Sequence, residues 1–510
     1  MKLTYDVLRD KILGCWNGKN IGGVLGAPME GLRQINNVEF YVQKDLDGNP
    51  PPNDDLDLQL LWLIGVERFG KDLDASKLGD YWMSYIIPNW SEYGMGKNNM
   101  RAGCKPPISG VWNNPFGQSC GCFIRSELWA CLAPGNPEQA VRFAYEDAIC
   151  DHYGEGVYGE LFCAAIESAA FVESDLEKLI EIGLSYIPAD CQLAKAINIA
   201  RECYNSGKPW QEARKRILTE TPGTFGLQER HPWEIEEQFD YDEPCVDAPS
   251  NVAFVVLGML YGEGDFGKSL CTAVNCGEDT DCSGATLGAL FGIIHGNAAL
   301  PEKWTKPIGN IINTKCVDRT NGIALLPYTT DELTDRTIAA IPLMLNRRLV
   351  NVLGNGVEVE TAETLENTHL DDRARGVGCN YSKKMDDLIA RTPYQQENRF
   401  NTFNVILDYK GDPTIKLGEP RKLGIIIEQG SLVDHQQFFT VRLYTSDSLE
   451  VMQGYSFAMP LNNQYRTRAE LEFDVFAETF TEGKQYVIVD VSVEGRHSDG
   501  ICKFVLYPEA

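Results

Sequence analysis

The chain has 510 residues, a formal charge of −27 and a hydrophobic fraction of 43%. That length is too great for one hydrophobic core and suits two or three domains, while the ordinary apolar share argues against disorder as the main state. So negative a surface repels phosphate backbones and argues against nucleic acid as a main partner, although bound divalent cations would reverse the local field for an anionic small molecule. The first six residues carry no apolar core of signal-peptide length, and the most apolar segments, such as 252–261, are too short to span a bilayer. The 16 cysteines are scattered through the chain, so reduced thiols, no membrane association and a cytoplasmic location are expected. A homo-oligomer stays open.

From residue 1 to about 345 the pattern is helical. Val7, Leu8, Ile12, Leu13 and Trp16 fall at helical spacing in 6–20, and 55–69 is apolar nearly all round, which predicts a buried helix. Further helices are predicted at 137–149, 159–171, 176–186, 193–204, 209–218, 250–261 and 283–294, giving an all-α domain over 1–345. Residues 346–400 are charged and weakly periodic and read as a linker or extension. Short β-rich runs follow at 403–409, 423–428, 438–444, 471–476, 486–493 and 501–506, so 401–510 is predicted to be a β-sandwich or jelly-roll-like accessory domain.

Two glycine ladders stand out. Gly14, Gly18, Gly22 and Gly26 recur every four residues, as do Gly284, Gly288, Gly292 and Gly296. Residues four apart share a helix face, and each interior glycine costs about 1 kcal/mol relative to alanine, so close helix–helix approach is the expected compensation. If the two ladders pack antiparallel, Glu30 comes close to Asp279-Thr280-Asp281; ladders that meet other helices are the alternative.

The acidic pairs carry the chemistry. Pro51-Pro52-Asn53-Asp54-Asp55 precedes the first buried helix, and Asp279-Thr280-Asp281 precedes another. Each alone is explained by helix capping and favourable first-turn carboxylates. Together they offer oxygen ligands for hard cations such as Mg²⁺ or Mn²⁺, with Asp54 and Asp55 able to reach different ions, Asn53 offering a carbonyl and Thr280 a hydroxyl. Two such ions about 3.5–4 Å apart would clamp an oxygen-rich substrate. Cys120-Gly121-Cys122 can be half of a metal site, but no matching Cys/His motif accompanies it, and buried thiols are expected there.

The ordered trio of Gly22-Gly23-Val24-Leu25-Gly26-Ala27-Pro28-Met29-Glu30, Asn53-Asp54-Asp55 and Asp279-Thr280-Asp281 resembles the ADP-ribosylglycohydrolase family, which includes the dinitrogenase reductase activating glycohydrolases. The resemblance covers roughly residues 5 to 310, and the segments 148–159 and 251–266 are similar to those of one bacterial branch. It implies an all-α domain with a dinuclear Mg²⁺ or Mn²⁺ centre that cleaves the glycosidic bond of an ADP-ribosyl group. By matching position, Asp54, Asp55, Asp279 and Asp281 are the implied metal ligands. Asn53 stands where the family has threonine or serine, Cys282 where a hydroxyl residue is common, and Gly23 where aspartate is frequent; Asn53 and Cys282 are kept as candidate ligands, although a thiol suits a hard ion poorly.

Glu30 is the candidate acid/base, with Asp55 as a second catalytic carboxylate. His152, Arg125 and Tyr158 are candidate substrate contacts, each with a plain alternative: a core histidine, a structural ion pair and aromatic packing. Two rival functions are the same scaffold hydrolysing another N- or O-glycoside or riboside, and a non-catalytic sugar-nucleotide-binding protein. For the β-rich tail a structural role is expected.

Overall fold

The computed structural model describes residues 1–221, 246–317, 325–354, 356–368, 385–430, 436–461 and 468–509. The chain divides into two units, one of residues 1–97 and 114–368, the other of residues 98–113 and 369–510.

Unit one is helical. The helices that shape the site are α1 (Tyr5–Gly26), α2 (Asp54–Phe69), α3 (Ser126–Leu132), α4 (Glu155–Ala169), α5 (Ala248–Tyr261) and α6 (Thr280–His295). In α2 every residue from Asp55 to Val66 is buried. Each of its buried leucines stabilises the fold by about 1.5–3 kcal/mol relative to exposure, and that driving force carries the acidic first turn into the interior. Asn53 caps α2, its Oδ1 accepting the Asp55 N–H at 2.9 Å. Further helices, among them Ala75–Tyr85 and Thr330–Met344, belong to the unit. Among the described residues it also holds a small antiparallel sheet of β1 (Lys2–Leu3), β2 (Val350–Leu353) and β3 (Gly356–Glu360), in the order β1-β3-β2, with Lys2 opposite Glu360. Among the described residues no helix is long and apolar enough to cross a membrane.

The glycine ladders face each other. A Cβ built on Gly14 would lie 2.3 Å from the Gly292 carbonyl oxygen, on Gly18 2.0 Å from that of Gly288, on Gly22 1.9 Å from that of Gly284, and on Gly26 2.1 Å from that of Thr280. The descending and ascending numbers fix α1 and α6 as antiparallel, backbone against backbone. The contacts also hold α1 helical through Gly26, six residues beyond the stretch that apolar spacing predicts. The end of α1 is thereby placed at the start of α6, and the Thr280 hydroxyl donates to the Gly26 carbonyl at 2.9 Å.

Unit two contains β4 (Gln395–Arg399), β5 (Phe403–Asp408), β6 (Thr414–Lys416), β7 (Arg421–Gln429), β8 (Gln437–Thr445), β9 (Glu450–Val451), β10 (Ser456–Leu461), β11 (Arg468–Phe476), β12 (Gln485–Val493) and β13 (Asp499–Glu509). They form two five-stranded sheets, β10-β8-β12-β13-β6 and β4-β5-β7-β11-β9, antiparallel except for the β13–β6 pair. Alternate residues of the two sheets, among them Val405, Ile425, Val441, Phe473, Val489 and Phe504, share one apolar core, the arrangement of a sandwich. Cys104 and Ile108, from the segment 98–113, are buried in the same core. Of residues 346–400, expected as linker or extension, 350–360 hold the β2–β3 hairpin of unit one and 395–399 are β4, while 369–384 lie outside the described residues.

Candidate metal centre

Three loops converge at the N-terminal end of α6. Glu30 follows a 3-10 turn, Ala27–Met29, that continues α1. Its loop is stitched to the approach of α6 by two backbone hydrogen bonds, Gly31 N–H to Glu278 O at 3.0 Å and Glu278 N–H to Leu32 O at 3.1 Å. Gly277 has φ +73, and a Cβ there would sit 2.1 Å from the Gln34 carbonyl oxygen, so glycine is required where the two loops meet. Glu30 is exposed as a residue, but its carboxyl turns in until its ligand atom and those of Asp279 and Asp281 lie within 4.8 Å of one another.

Asp55 enters from α2 and is 1% exposed. Its Oδ1 accepts from the Cys282 thiol at 3.5 Å, so the first turn of α2 meets the first turn of α6 across 227 positions of chain. Cys120 approaches from a third side and donates to Asp279 Oδ2 at 2.9 Å. The Asp279 N–H is held by Asn251 Oδ1 of α5 at 3.0 Å. Asp54 points away from Asp55, as adjacent positions require, and pairs with the Lys315 ammonium at 3.2 Å. Lys315 in turn lies 4.9 Å from the centre of the Trp90 ring. Its loop is fixed by Asp57 of α2, whose Oδ2 accepts from the backbone N–H groups of Lys315 and Cys316.

Beneath the carboxylates lies a buried ion pair, Lys19 Nζ of α1 to Glu127 Oε1 of α3 at 2.7 Å, both side chains fully enclosed. Gln59 extends it, donating to Glu127 Oε2 at 2.9 Å and to the Asp55 carbonyl at 3.2 Å. Withdrawal from water opposes charge on Lys19, yet Glu127 and then Asp55 hold it firmly protonated. This is the one fixed cation behind the site that the described residues supply to Asp55.

The electrostatics of the acidic group are unfavourable as they stand. Burial first, then Asp54 and Asp279, raise Asp55 well above the usual carboxylate range against the pull of Lys19. Burial first, then Asp55, Asp279 and Glu30, do the same to Asp281. Glu30 is raised to about 7, chiefly by removal from water and then by Asp279 and Asp54, with Lys315 opposing. Asp55 Oδ2, Asp279 Oδ1 and Asp281 Oδ1 are buried with no hydrogen-bond donor among the described residues. Buried carboxylate oxygens cost several kcal/mol unless protonated or paired, and oxygens converging from separate helices fit a hard divalent cation.

The remaining candidates are placed elsewhere. Arg125 is fully buried: its guanidinium meets Asp151 at 2.9 and 3.2 Å, Asp147 at 3.3 Å and the Gly121 carbonyl at 3.0 Å. These contacts lie inside the protein and match the structural ion pair, the alternative weighed for Arg125 beside a substrate contact. His152 is also fully buried, with Nε2 2.9 Å from Ser119 Oγ and Nδ1 2.9 Å from Asp151 Oδ1, a core histidine outside the acidic group. Tyr158, half-buried on α4, is near Glu155, Cys191 and Asp190. Asn53 uses its carbonyl oxygen as the cap of α2, and its amide nitrogen occupies the space that a side chain at position 23 would take, 1.8 Å from a Cβ built on Gly23. Positions 23 and 53, where the chain departs from the pattern it resembles, therefore lie against each other.

Sequence reasoning missed Lys19, Glu127, Asp57 and Lys315, and placed Cys120 outside the site. A lysine in the glycine-rich second half of α1, between Gly18 and Gly22 on a stretch expected to pack closely, was the available signal for Lys19. Cys120-Gly121-Cys122 was visible, but its partners Asp279 and Cys282 are over 150 positions away; for Lys315 the sequence holds no signal.

A family model of ADP-ribosylglycohydrolase matches residues 4–339. The chain belongs to the ADP-ribosylglycohydrolase family. Membership places unit one among glycohydrolase-like proteins. The chain is also similar to a solved ADP-ribosylglycohydrolase-related protein complex, at 20% identity and TM-score 0.43, covering 67% of this chain and 100% of that one. A second solved structure, Pseudomonas fluorescens alkylpurine DNA glycosylase AlkC bound to DNA containing an abasic site analog, has 13% identity and TM-score 0.14, covering 88% of this chain and 99% of that one. Neither likeness, at these scores, bears on activity or ligand. No curated protein matches.

Proposed function

We propose that the protein hydrolyses the glycosidic bond of an ADP-ribosyl group, on a protein or a small-molecule conjugate, at a centre of two divalent cations, Mg²⁺ or Mn²⁺. The observation that carries this reading is the convergence of Glu30, Asp279 and Asp281, with Asp55 beside them through Cys282 and buried, unpartnered oxygens on the three aspartates, in a chain of this family.

Asp54, Asp55, Asp279 and Asp281 would hold the cations. When bound, these supply positive charge that orients ribose hydroxyls and stabilises an oxocarbenium-like transition state. The chain's own residues do the rest. Glu30, at the open side, takes a proton from the attacking water as its oxygen bonds to the anomeric carbon, and returns a proton to the departing nitrogen or oxygen as the glycosidic bond breaks. Neighbouring cations would lower its pKa from about 7, favouring the carboxylate that accepts this proton. Lys19 offsets part of the charge of Asp55 from behind, and Gln59 ties Glu127 to the Asp55 carbonyl. Incubation with ADP-ribosylated arginine, ADP-ribosylated serine and simple ribosides should give EDTA-sensitive release of free ADP-ribose; release from none of them, with Mg²⁺ present, sinks the reading.

A second reading keeps the scaffold and changes the substrate to another N- or O-glycoside or riboside. The adjoining Gly23 and Asn53 favour it, because an amide stands where a carboxylate is frequent. The same panel separates the two by leaving group.

A pH dependence follows from the site's charge. In metal-free protein the folded state retains protons on Asp55, Asp281 and Glu30 that the unfolded chain has released above about pH 4. By linkage its stability falls as pH rises from about 4 through about 7, where Glu30 ionises, and goes on falling as Asp55 and Asp281 lose their protons. Cations need the ionised carboxylates, so the rise in Tm on adding Mg²⁺ is expected to grow between about pH 5.5 and about pH 8. Thermal unfolding with Mg²⁺ and with EDTA across that range checks it; a Mg²⁺ effect independent of pH counts against carboxylate ligation.

A further inference from the structure

The carboxylates are only half of the buried donor set. Cys120 Sγ, Cys282 Sγ and an Asp279 oxygen lie within 4.8 Å of one another. All three are buried and come from two chain segments. Asp55 of α2 adjoins them, its Oδ1 3.5 Å from the Cys282 thiol. Asp279 Oδ1 and Asp55 Oδ2 remain without a donor among the described residues. The two sulfurs and the Asp279 oxygen are spaced as three ligands of one ion at about 2.3 Å from sulfur and about 2.0–2.2 Å from oxygen would be, and Asp55, beside Cys282, can supply the fourth after a side-chain shift. Thiolates prefer borderline or soft ions, whereas the group of Glu30, Asp279 and Asp281 is all oxygen and suits hard ones.

We propose that Cys120, Cys282, Asp279 and Asp55 form a thiolate-bearing site for a borderline divalent cation of the Zn²⁺ class, beside the all-oxygen position and sharing Asp279 with it. The centre is then mixed: one position selects Zn²⁺, the other Mg²⁺ or Mn²⁺. Two thiols that otherwise donate to carboxylates release their protons to solvent on binding and acquire a common partner, and the ion offsets part of the negative charge of the inner half. The inference rests on the reading of this group as a metal centre, and not on the reaction proposed for it.

Co²⁺, a spectroscopic stand-in for Zn²⁺, tests it. Full-length protein, reduced and stripped with EDTA, is titrated with Co²⁺. Thiolate-to-cobalt charge-transfer absorption is expected to grow to one equivalent, to be displaced by Zn²⁺ and not by an equal concentration of Mn²⁺. Cys120→Ser and Cys282→Ser should each remove most of that absorption while keeping the parent's circular dichroism. X-ray absorption of Zn²⁺-loaded parent protein, which needs no variant to fold, should show sulfur scatterers at about 2.3 Å. Co²⁺ binding without the charge-transfer absorption, absorption undiminished in both variants, or a zinc shell of oxygen and nitrogen alone overturns the site. Mg²⁺-dependent release of ADP-ribose, measured on the same preparations, keeps the two readings apart. Release without the thiolate signal removes this site alone, and the signal without release removes the hydrolase.

Discussion

Asp281→Asn is expected to lower kcat by about a hundredfold or more and, in EDTA, to make the protein more stable than its parent. Both effects come from one charge. The Asp281 carboxyl is 5% exposed, and one of its oxygens has no donor among the described residues. Burial, Asp55, Asp279 and Glu30 all disfavour its ionisation. Asparagine keeps the size of the side chain and does not ionise, so the metal-free variant is relieved of the cost of either protonating or ionising a buried carboxyl and should gain roughly 0.5–2 kcal/mol, the usual exchange of stability for function at a charged site. With a ligand lost from the charge clamp, transition-state stabilisation of several kcal/mol goes, and each 1.36 kcal/mol is a factor of ten. Saturating Mg²⁺ should reverse the order of stability, because parent protein gains binding free energy that the variant lacks. Thermal unfolding of both proteins in EDTA and in Mg²⁺, beside initial rates of ADP-ribose release, reads all three effects. Loss of stability in EDTA, or full turnover, would overturn the assignment of Asp281.

The same physics explains what the sequence made legible. Asp54-Asp55 and Asp279-Thr280-Asp281 could be found because a buried helix announces itself by apolar spacing, and carboxylates in its first turn are then conspicuous. The ladders could be found because glycine at every fourth position is costly unless a backbone faces it, and their antiparallel numbering placed Glu30 before any coordinates did. Charges held by distant partners could not be resolved this way. Arg125 reads equally as a substrate contact or a structural ion pair until Asp147 and Asp151 are seen to enclose it. Lys19 and Glu127 are 108 positions apart, and nothing local pairs them. Among the strands, the six with alternating apolar residues are legible, whereas β4 reads Gln-Gln-Glu-Asn-Arg and β10 contains Pro460, both edge strands whose pairing is set by a neighbour rather than by their own pattern.

Gly22→Ala tests the device that assembles the site. Taken alone, alanine in a helix interior is favoured over glycine by about 1 kcal/mol. Here the added Cβ would lie 1.9 Å from the Gly284 carbonyl oxygen and 2.4 Å from its carbon, far inside contact distance and against backbone that no rotamer change can move. The helices must separate, and because four glycine positions share the seam the separation extends along α1 and α6, stripping packing from both and pulling Thr280 from the Gly26 carbonyl. The clash should outweigh propensity and leave a net loss of about 3–5 kcal/mol. Glu30 would be drawn away from Asp279 and Asp281, so any folded fraction should also lose Mg²⁺ affinity. Gly159→Ala on α4 is the control, since its Cβ would meet only side-chain carbons at 3.5–3.8 Å, an ordinary contact, and propensity alone then predicts a change between zero and about 1 kcal/mol in the stabilising direction. Urea unfolding of the two variants beside the parent decides the matter: equal stability of Gly22→Ala and parent would mean that the seam yields, and that the ladders do not hold the acidic residues together.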